Sequence, residues 1–193
     1  MGLILASGSQ IRRELLTAAG VDHRVVRPDV DEAIVKRRLT TAADIADELA
    51  GAKALAVSET HPQDWVIGSD SVVSVGNRLF DKPLDREQAA EHLRFFSGKS
   101  MRLTSAVALA KGGAVDWRRV ETADLQVRPL SEKFIAGYLD AEWPEVGYCV
   151  GVFRMEGRGV QLFSSIAGDH FTILGMPLLP LLGALRDRSL LPS

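Results

Sequence analysis

The chain opens with the stretch that decides its fold class, Gly2-Leu3-Ile4-Leu5-Ala6-Ser7-Gly8-Ser9-Gln10-Ile11-Arg12-Arg13-Glu14-Leu15-Leu16. A short apolar run, typical of a buried strand, passes through small residues into a helical pattern. Strand–turn–helix units of this kind are typical of α/β domains. The stretch therefore predicts an α/β fold whose first helix begins at the edge of a sheet.

The same turn has features of a phosphate pocket. Its small residues let a ligand approach the backbone, and the first turn of a helix offers unpaired N–H groups and the positive end of the helix dipole. Arg12 and Arg13 add forked donors that match phosphate oxygens. An ordinary turn with solvated arginines fits the pattern equally well, so this stretch alone leaves both interpretations open.

Composition and charge narrow the classes of partner. With 193 residues, 46% of them hydrophobic, the chain can build a sizeable core in one large or two small lobes. A net charge of −2 argues against broad binding to nucleic acid or to an anionic membrane surface. No apolar run is long enough to span a bilayer, and the start lacks the basic region of a signal peptide. We therefore expect a cytoplasmic protein with no membrane partner.

Patterning along the chain predicts strands of both orientations among helices. An acidic loop containing Asp31-Glu32 follows an early strand, and residues 41–59 are typical of a long helix. Residues 65–68 predict a strand that ends at Ser69-Asp70-Ser71, with a hairpin at Gly76-Asn77 beyond it. The second half predicts helices after Asp85, Ser131 and Pro177, long strands over 101–110 and 115–127, and glycine-rich strand segments over 147–164.

Asp70 is the strongest catalytic candidate. A carboxylate at a strand end of an α/β sheet faces the ligand crevice, where it can hold a divalent metal or take a proton from water. The alternative is an aspartate that caps a turn. Glu32, across a cleft from Asp70, would complete an oxygen-only site for Mg²⁺ or Mn²⁺. Lys53 and Lys82 are candidate phosphate-binding cations, although lone lysines mostly serve solubility.

Taken in order, these segments resemble the Maf family of nucleotide pyrophosphatases. The matching segments are Leu5-Ala6-Ser7-Gly8-Ser9 with the two arginines, Asp31-Glu32, Ala52-Lys53-Ala54, Gly68-Ser69-Asp70, Lys82-Pro83, and two blocks over 151–157 and 168–177. Each motif alone is weak, but the ordered set covers nearly the whole chain. The resemblance implies one domain over 1–193, with a mixed, elongated, twisted sheet flanked by helices and two lobes around a central nucleotide cleft.

The resemblance also implies an activity. In the expected reaction, water attacks the α-phosphorus of a nucleoside triphosphate and releases a monophosphate and pyrophosphate. Such a house-cleaning enzyme removes noncanonical nucleotides. It requires a divalent cation, Mg²⁺ or Mn²⁺, and Asp70 is the expected proton acceptor. The family's other characteristic polar positions match Ser7, Arg12, Arg13, Glu32, Lys53 and Lys82. From their chemistry we expect Ser7 and the four cations to bind the triphosphate, and Glu32 and Asp70 to bind the metal. A homodimer is expected only because homodimers are the commonest soluble oligomers.

Three positions that distinguish base selectivity within the family correspond to Ile11, Ser71 and Glu156. Glu156 matches members selective for 7-methyl-GTP, because a carboxylate can accept from the N–H edge of guanine. Ile11 matches neither subgroup: it can neither stack on a cationic purine as Trp does nor donate hydrogen bonds as Arg does. Ser71 fits either subgroup, and the set favours a modified purine substrate.

Two other functions remain compatible with the sequence. One is a nucleotide-sensing regulator of cell division with little turnover. The other is a phosphomonoesterase with Asp70 as covalent nucleophile, which would release orthophosphate. Ser97-Gly98-Lys99-Ser100 ends like a P-loop, but Leu93 stands where that motif needs glycine, so a P-loop is excluded.

Overall fold

A computed structural model of the chain describes residues 2–192, which form seven strands and seven α-helices. In chain order these are β1 (Leu3–Ala6), α1 (Gln10–Ala18), β2 (Arg24–Val26), α2 (Glu32–Arg38), α3 (Ala42–Ser58), β3 (Trp65–Val75), β4 (Arg78–Phe80), α4 (Arg86–Phe96), β5 (Ser100–Lys111), β6 (Ala114–Val127), α5 (Glu132–Glu142), β7 (Phe163–Ala167), α6 (His170–Ile173) and α7 (Leu178–Asp187). None of these helices is both long and apolar enough to cross a membrane.

The strands form a mixed sheet. Their hydrogen-bonded order is β2-β1-β3-β5-β6-β7, with β4 paired to β3. β1 runs parallel to both β2 and β3, whereas β4 and β7 run antiparallel to their partners β3 and β6. A mixed sheet with helices between its strands confirms the predicted α/β class with strands of both orientations.

The chain divides into two compact units. The first comprises the segments up to Ser71, Thr104–Glu121 and from Asp169 onward, and the second comprises Val72–Leu103 and Thr122–Gly168. In the first unit one face of β3 joins a hydrophobic core with α1, β5 and α7. Side chains of this core include Leu5, Leu16, Ile67, Val107, Met176, Leu181 and Leu185.

The other face of β3 carries α3 in direct contact. A Cβ atom on Gly68 would lie 2.1 Å from the carbonyl oxygen of Ala50 and 2.6 Å from the amide nitrogen of Ala54. Both atoms belong to the backbone of α3, which cannot give way as the end of a flexible side chain can. The helix therefore rests on the strand at this point because residue 68 has no side chain.

The second unit contains the hairpin of β3 and β4, in which Val75 pairs with Arg78 across the predicted Gly76-Asn77 turn. Its helix α4 packs an aromatic cluster against β4. The ring of Phe80 meets the rings of His92 and Phe96 edge-on, with centroids 5.1 and 4.7 Å apart.

Three predicted elements are wrong. β3 does not end before Asp70 but runs on to Val75, because pairing with β4 takes over after pairing with β1 stops at Gly68. The acidic loop contains a helix, since Asp31 caps α2 and Glu32 is its first residue. A pattern of seven residues ending in three basic ones is too short to show helical periodicity.

The third error concerns the glycine-rich stretch 147–164. It forms mainly turns and short 3₁₀ segments, and only its end belongs to β7. Gly151 and Val152 have φ values of 83° and 58°, in the left-handed region that interrupts a strand ladder. In the sequence these glycines resemble parts of a strand, but in the structure they allow the chain to turn.

Candidate active site

Asp70, Lys53 and Glu32 form a charged cluster in the first unit. The Nζ atom of Lys53 lies 2.6 Å from Oδ1 of Asp70 and 2.7 Å from Oε1 of Glu32. The side chains of Lys53 and Asp70 are only 12% and 11% exposed, while that of Glu32 is 42% exposed. One ammonium group therefore joins a nearly buried carboxylate to one that faces solvent.

The local fold explains this arrangement. The close approach of α3 at Gly68 brings Lys53 over the strand, and residues 68 and 70 point to the same face because side chains alternate along a strand. The cap at Asp31, whose carboxylate accepts from the amide of Ala33, begins α2 so that Glu32 reaches the same ammonium.

The cluster shifts the titration of Glu32. Partial burial on its own raises the pKa of this carboxyl, but the ammonium groups of Lys53 and Lys36 outweigh burial and hold the pKa below its usual value. Glu32 is consequently ionised at neutral pH, which is the state required of a cation-binding carboxylate.

Arg12 lies on the opposite face of β3 and is held there by three acceptors. Its Nε donates to the carbonyl of Gly175, its Nη1 to the carbonyl of Ser69 and its Nη2 to Oγ of Ser71, each at 2.9 Å. Burial lowers the pKa of this guanidinium, and the negative charges of Asp70 and Glu32 offset part of that effect. Arginine keeps its proton at any working pH, so a fixed positive charge stands behind the strand that carries Asp70.

The edge of the sheet brings these groups together. The parallel pairing of β1 with β3 ends at Ala6 and Gly68, and the chain then continues into Ser7 and Ser69 respectively. Parallel strands present their carboxyl ends at one edge, where ligands of α/β sheets bind. Asp70 is thus two residues beyond the end of the parallel pairing, although it lies inside a longer strand.

Three further predicted residues, Ser7, Ile11 and Arg13, lie outside the ion cluster of Lys53. Ser7 is buried and its Oγ accepts from the amide of Ser9, the N-cap of α1. Ile11 is half-buried and Arg13 is exposed on α1.

Two predicted residues belong to the second unit. Lys82 is exposed beyond β4. Glu156 is also exposed, and its Oε1 accepts from Nε of Arg154 at 3.1 Å. The other residues of the predicted site lie in the first unit, together with the cluster around Lys53 and the contacts of Arg12.

Three residues with a part in this geometry were not predicted from the sequence. Gly68 admits α3, while Ser69 and Gly175 anchor Arg12 through their carbonyl groups. A glycine inside an apolar strand run is a signal of close backbone approach and could have indicated Gly68. No local pattern connects residue 175 to residue 12, because that contact exists only after folding.

The residues present fit a hard divalent cation. Asp70 and Glu32 offer carboxylate oxygens, and the position between them already accommodates a positive charge, that of Lys53. Within residues 2–192 no group of three or more His, Cys, Asp and Glu side chains converges. Proteins commonly hold Mg²⁺ with one or two carboxylates while substrate phosphates and water complete the shell.

Comparison with known proteins places this geometry in a family. The model of the family described as "Maf-like protein" matches residues 2–188. A 7-methyl-GTP pyrophosphatase of Rhizobium etli is 47% identical over 189 residues, covering 96% of this chain and 95% of that protein. A nucleoside triphosphate pyrophosphatase of Bradyrhizobium diazoefficiens is 44% identical over 191 residues, covering 98% and 95%.

Among solved structures, a dITP/XTP pyrophosphatase of Mycobacterium abscessus matches 98% of this chain and 96% of its own, with 15% identity and a TM-score of 0.44. The family assignment rests on the sequence matches, which run from the first strand to the last helix. The chain belongs to the Maf-like family.

Proposed function

We propose that this protein is a metal-dependent nucleoside triphosphate pyrophosphatase, with Asp70 as the general base. The observation that carries the proposal is the ion cluster in which Lys53 bridges the buried Asp70 and the exposed Glu32. The names of the Rhizobium etli and Bradyrhizobium diazoefficiens relatives support the same reaction class.

Each side chain of the cluster has a different proposed role in the reaction. An ionised carboxylate has about four lone-pair sites, so Asp70 can accept from Lys53 and still take a proton from water. Lys53 holds the Asp70 carboxylate in one orientation and adds positive charge where the triphosphate is to bind. Arg12 and the exposed Arg13 supply further positive charge toward the phosphates, which stabilises the charge that develops during phosphoryl transfer.

Glu32 and Asp70 are the residues that would hold Mg²⁺ or Mn²⁺. When bound, the cation supplies neutralisation of phosphate charge and lowers the pKa of a coordinated water. Ser7 and Lys82 complete the proposed substrate-binding set.

For the base, we infer a preference for 7-methyl-GTP or a similar modified purine. Glu156 supports this preference, since a carboxylate can accept hydrogen bonds from the N–H edge of guanine. Its ion pair with Arg154 would hold that carboxylate in one orientation. The name of the Rhizobium etli relative agrees with the same choice.

The test is pyrophosphate release from a panel of 7-methyl-GTP, GTP, UTP, dTTP and 5-methyl-UTP, with Mg²⁺ or Mn²⁺. We expect turnover, fastest with 7-methyl-GTP, and a loss of ~10²–10⁴-fold in Asp70→Asn, the range for a general base. Asp47→Asn is the matched control, because Asp47 lies on α3 and pairs with Arg118 at 3.0 Å outside the cluster; it should keep full activity.

Four outcomes would contradict the proposal. Full activity in Asp70→Asn excludes the general base. Tight nucleotide binding without hydrolysis favours a sensor. Orthophosphate in place of pyrophosphate indicates a phosphomonoesterase, and ¹⁸O from labelled water found in pyrophosphate instead of the monophosphate excludes attack at the α-phosphorus.

A further inference from the structure

The hydroxyl of Ser71 is fully engaged inside the protein. Its Oγ lies 2.9 Å from Nη2 of Arg12, 3.1 Å from the carbonyl oxygen of Gly175 and 2.9 Å from Oγ of Ser105. A serine hydroxyl has one donor and two acceptor sites: Oγ of Ser71 donates to the carbonyl of Gly175, accepts from Arg12, and turns its second acceptor site to Oγ of Ser105, which itself donates to the carbonyl of Thr172. This side chain has no hydrogen-bonding capacity left for a nucleobase.

The carbonyl of Gly175 is the centre of this network. It accepts from Nε of Arg12 at 2.9 Å and from the hydroxyl of Ser71 at 3.1 Å, while Oγ of Ser69, which donates to the carbonyl of Ala106 at 2.8 Å, lies 3.1 Å from it. Gly175 has a φ of 100°, which side chains rarely tolerate, and a Cβ there would lie 3.3 Å from Oγ of Ser71. The network therefore ties α1, β3 and the loop before α7 into one rigid junction.

The junction fixes the direction of Arg12. Hydrogen bonds within residues 2–192 use three of the five N–H donors of a guanidinium, which leaves two for phosphate oxygens. Without the Ser71 hydroxyl, Nη2 would lose its acceptor and the guanidinium could rotate about the remaining bonds. A rotated fork matches phosphate oxygens less well.

We propose that Ser71 is a positioning residue, which orients Arg12 through the Gly175 junction and sets the affinity for the triphosphate, not the choice of base. This inference rests on the proposed function in one respect, that Arg12 binds the triphosphate. It assigns base discrimination to other residues, of which Glu156 is the candidate.

The test uses a ligand without a base, inorganic tripolyphosphate with Mg²⁺, in calorimetry with the full-length protein. Ser71→Val and Ser71→Thr have similar shapes and differ in the hydroxyl. We expect the Kd for tripolyphosphate to rise about five- to tenfold in Ser71→Val, the effect of one typical net hydrogen bond. Ser71→Thr should stay within about twofold of the wild type, and circular dichroism checks that both fold.

Steady-state kinetics then separates the two roles of Ser71. A positioning residue raises KM for 7-methyl-GTP and UTP by the same factor, so the ratio of their kcat/KM values stays constant. Unchanged tripolyphosphate binding in Ser71→Val, or a changed ratio, overturns the inference. Ser71→Ala, which only removes the hydroxyl, gives the same measurement if the valine variant does not fold.

Failure of the proposed function has a different signature. If the wild type hydrolyses no nucleotide but Ser71→Val still weakens tripolyphosphate binding, the role of Ser71 stands and the enzymatic proposal fails. If hydrolysis is normal and tripolyphosphate binding does not depend on the hydroxyl, only the role of Ser71 fails.

Discussion

A glycine controls the distance between the proposed base and its lysine. Gly68 lies two residues before Asp70 on the same face of β3, directly under the backbone of α3. The contact between Lys53 and Asp70, at 2.6 Å, depends on the helix lying this close to the strand. The position of Lys53 relative to Asp70 would therefore be changed by a single methyl group at residue 68.

Gly68→Ala should therefore lower both stability and activity. The added Cβ forces α3 away from β3, and overpacking of this kind costs about 1–3 kcal/mol, occasionally more. Lys53 moves with the helix, so pyrophosphate release should fall beyond what the loss of folded protein explains. Urea unfolding and activity per folded molecule measure the two effects.

The control for this substitution is Gly183→Ala in α7, where a Cβ would meet nothing within 4 Å. Alanine in an open helical position is favourable by roughly 0.5–1 kcal/mol, so this variant should be stable and active. Normal activity in Gly68→Ala would show that the approach of α3 is not what positions Lys53.

At the scale of elements, the short helix α2 places the second carboxylate. Asp31 caps the helix by accepting from the amide of Ala33, and Glu32 follows as the first helical residue. Three basic residues occupy its last turn, where they interact favourably with the helix dipole. The cap and the dipole together hold Glu32 near Lys53.

Loss of this cap should weaken the binding of the metal on which the reaction depends. Asp31→Ala removes about 1 kcal/mol of stability, the usual effect at an N-cap, and frays the turn that carries Glu32. The Mg²⁺ concentration for half-maximal pyrophosphate release should rise several-fold. Ser131→Ala, which removes the N-cap of α5, should cost similar stability without changing the Mg²⁺ requirement. Equal shifts in the two variants would contradict this role of α2.

At the scale of the whole molecule, the free energy of unfolding depends on a buried histidine in the second unit. His92 packs against Phe80 and Phe96 in the second unit. Its Nδ1 has no hydrogen-bond partner among residues 2–192. Burial, with a contribution from the positive charge of Arg78, lowers the pKa of His92 from its ordinary value near 6.5, although the carboxylates of Glu91 and Asp81 act in the opposite direction.

The sign of this shift predicts loss of stability in mild acid. The unfolded chain binds a proton near pH 6.5 and the folded protein only at lower pH, so stability is full above pH 6.5 and falls as pH drops through the folded pKa. The thermal midpoint should therefore fall as the pH is lowered below about 6.5, and fall less in His92→Leu. His170→Leu, at an exposed histidine, should keep the wild-type slope. An unchanged slope in His92→Leu would exclude His92 as the source.

Much of the fold was predictable because its signals are local. The helices that begin after Asp85 and Ser131, the long helix α3 and the Gly76-Asn77 hairpin follow from periodicity and turn chemistry that neighbouring residues determine. The end of β3 was not predictable, because it depends on pairing with two different strands. The short helix α2 was missed because seven residues give too little periodicity to distinguish a capped helix from an acidic loop.

The sequence by itself determined the types of charged residue, their order along the chain and the α/β class, since these follow from composition, pattern and resemblance. The single domain, the cytoplasmic location and the homodimer stay predictions. So do the roles of all the predicted site residues, which are Ser7, Ile11, Arg12, Arg13, Glu32, Lys53, Asp70, Ser71, Lys82 and Glu156.

Only the tertiary structure decided that Lys53 bridges Asp70 and Glu32 on one face of β3, and that Arg12 lies on the other face, tied to Gly175. The physical reason is that strand alternation and helix packing set these contacts between residues 17 to 163 positions apart, and no local pattern in the sequence encodes such distances.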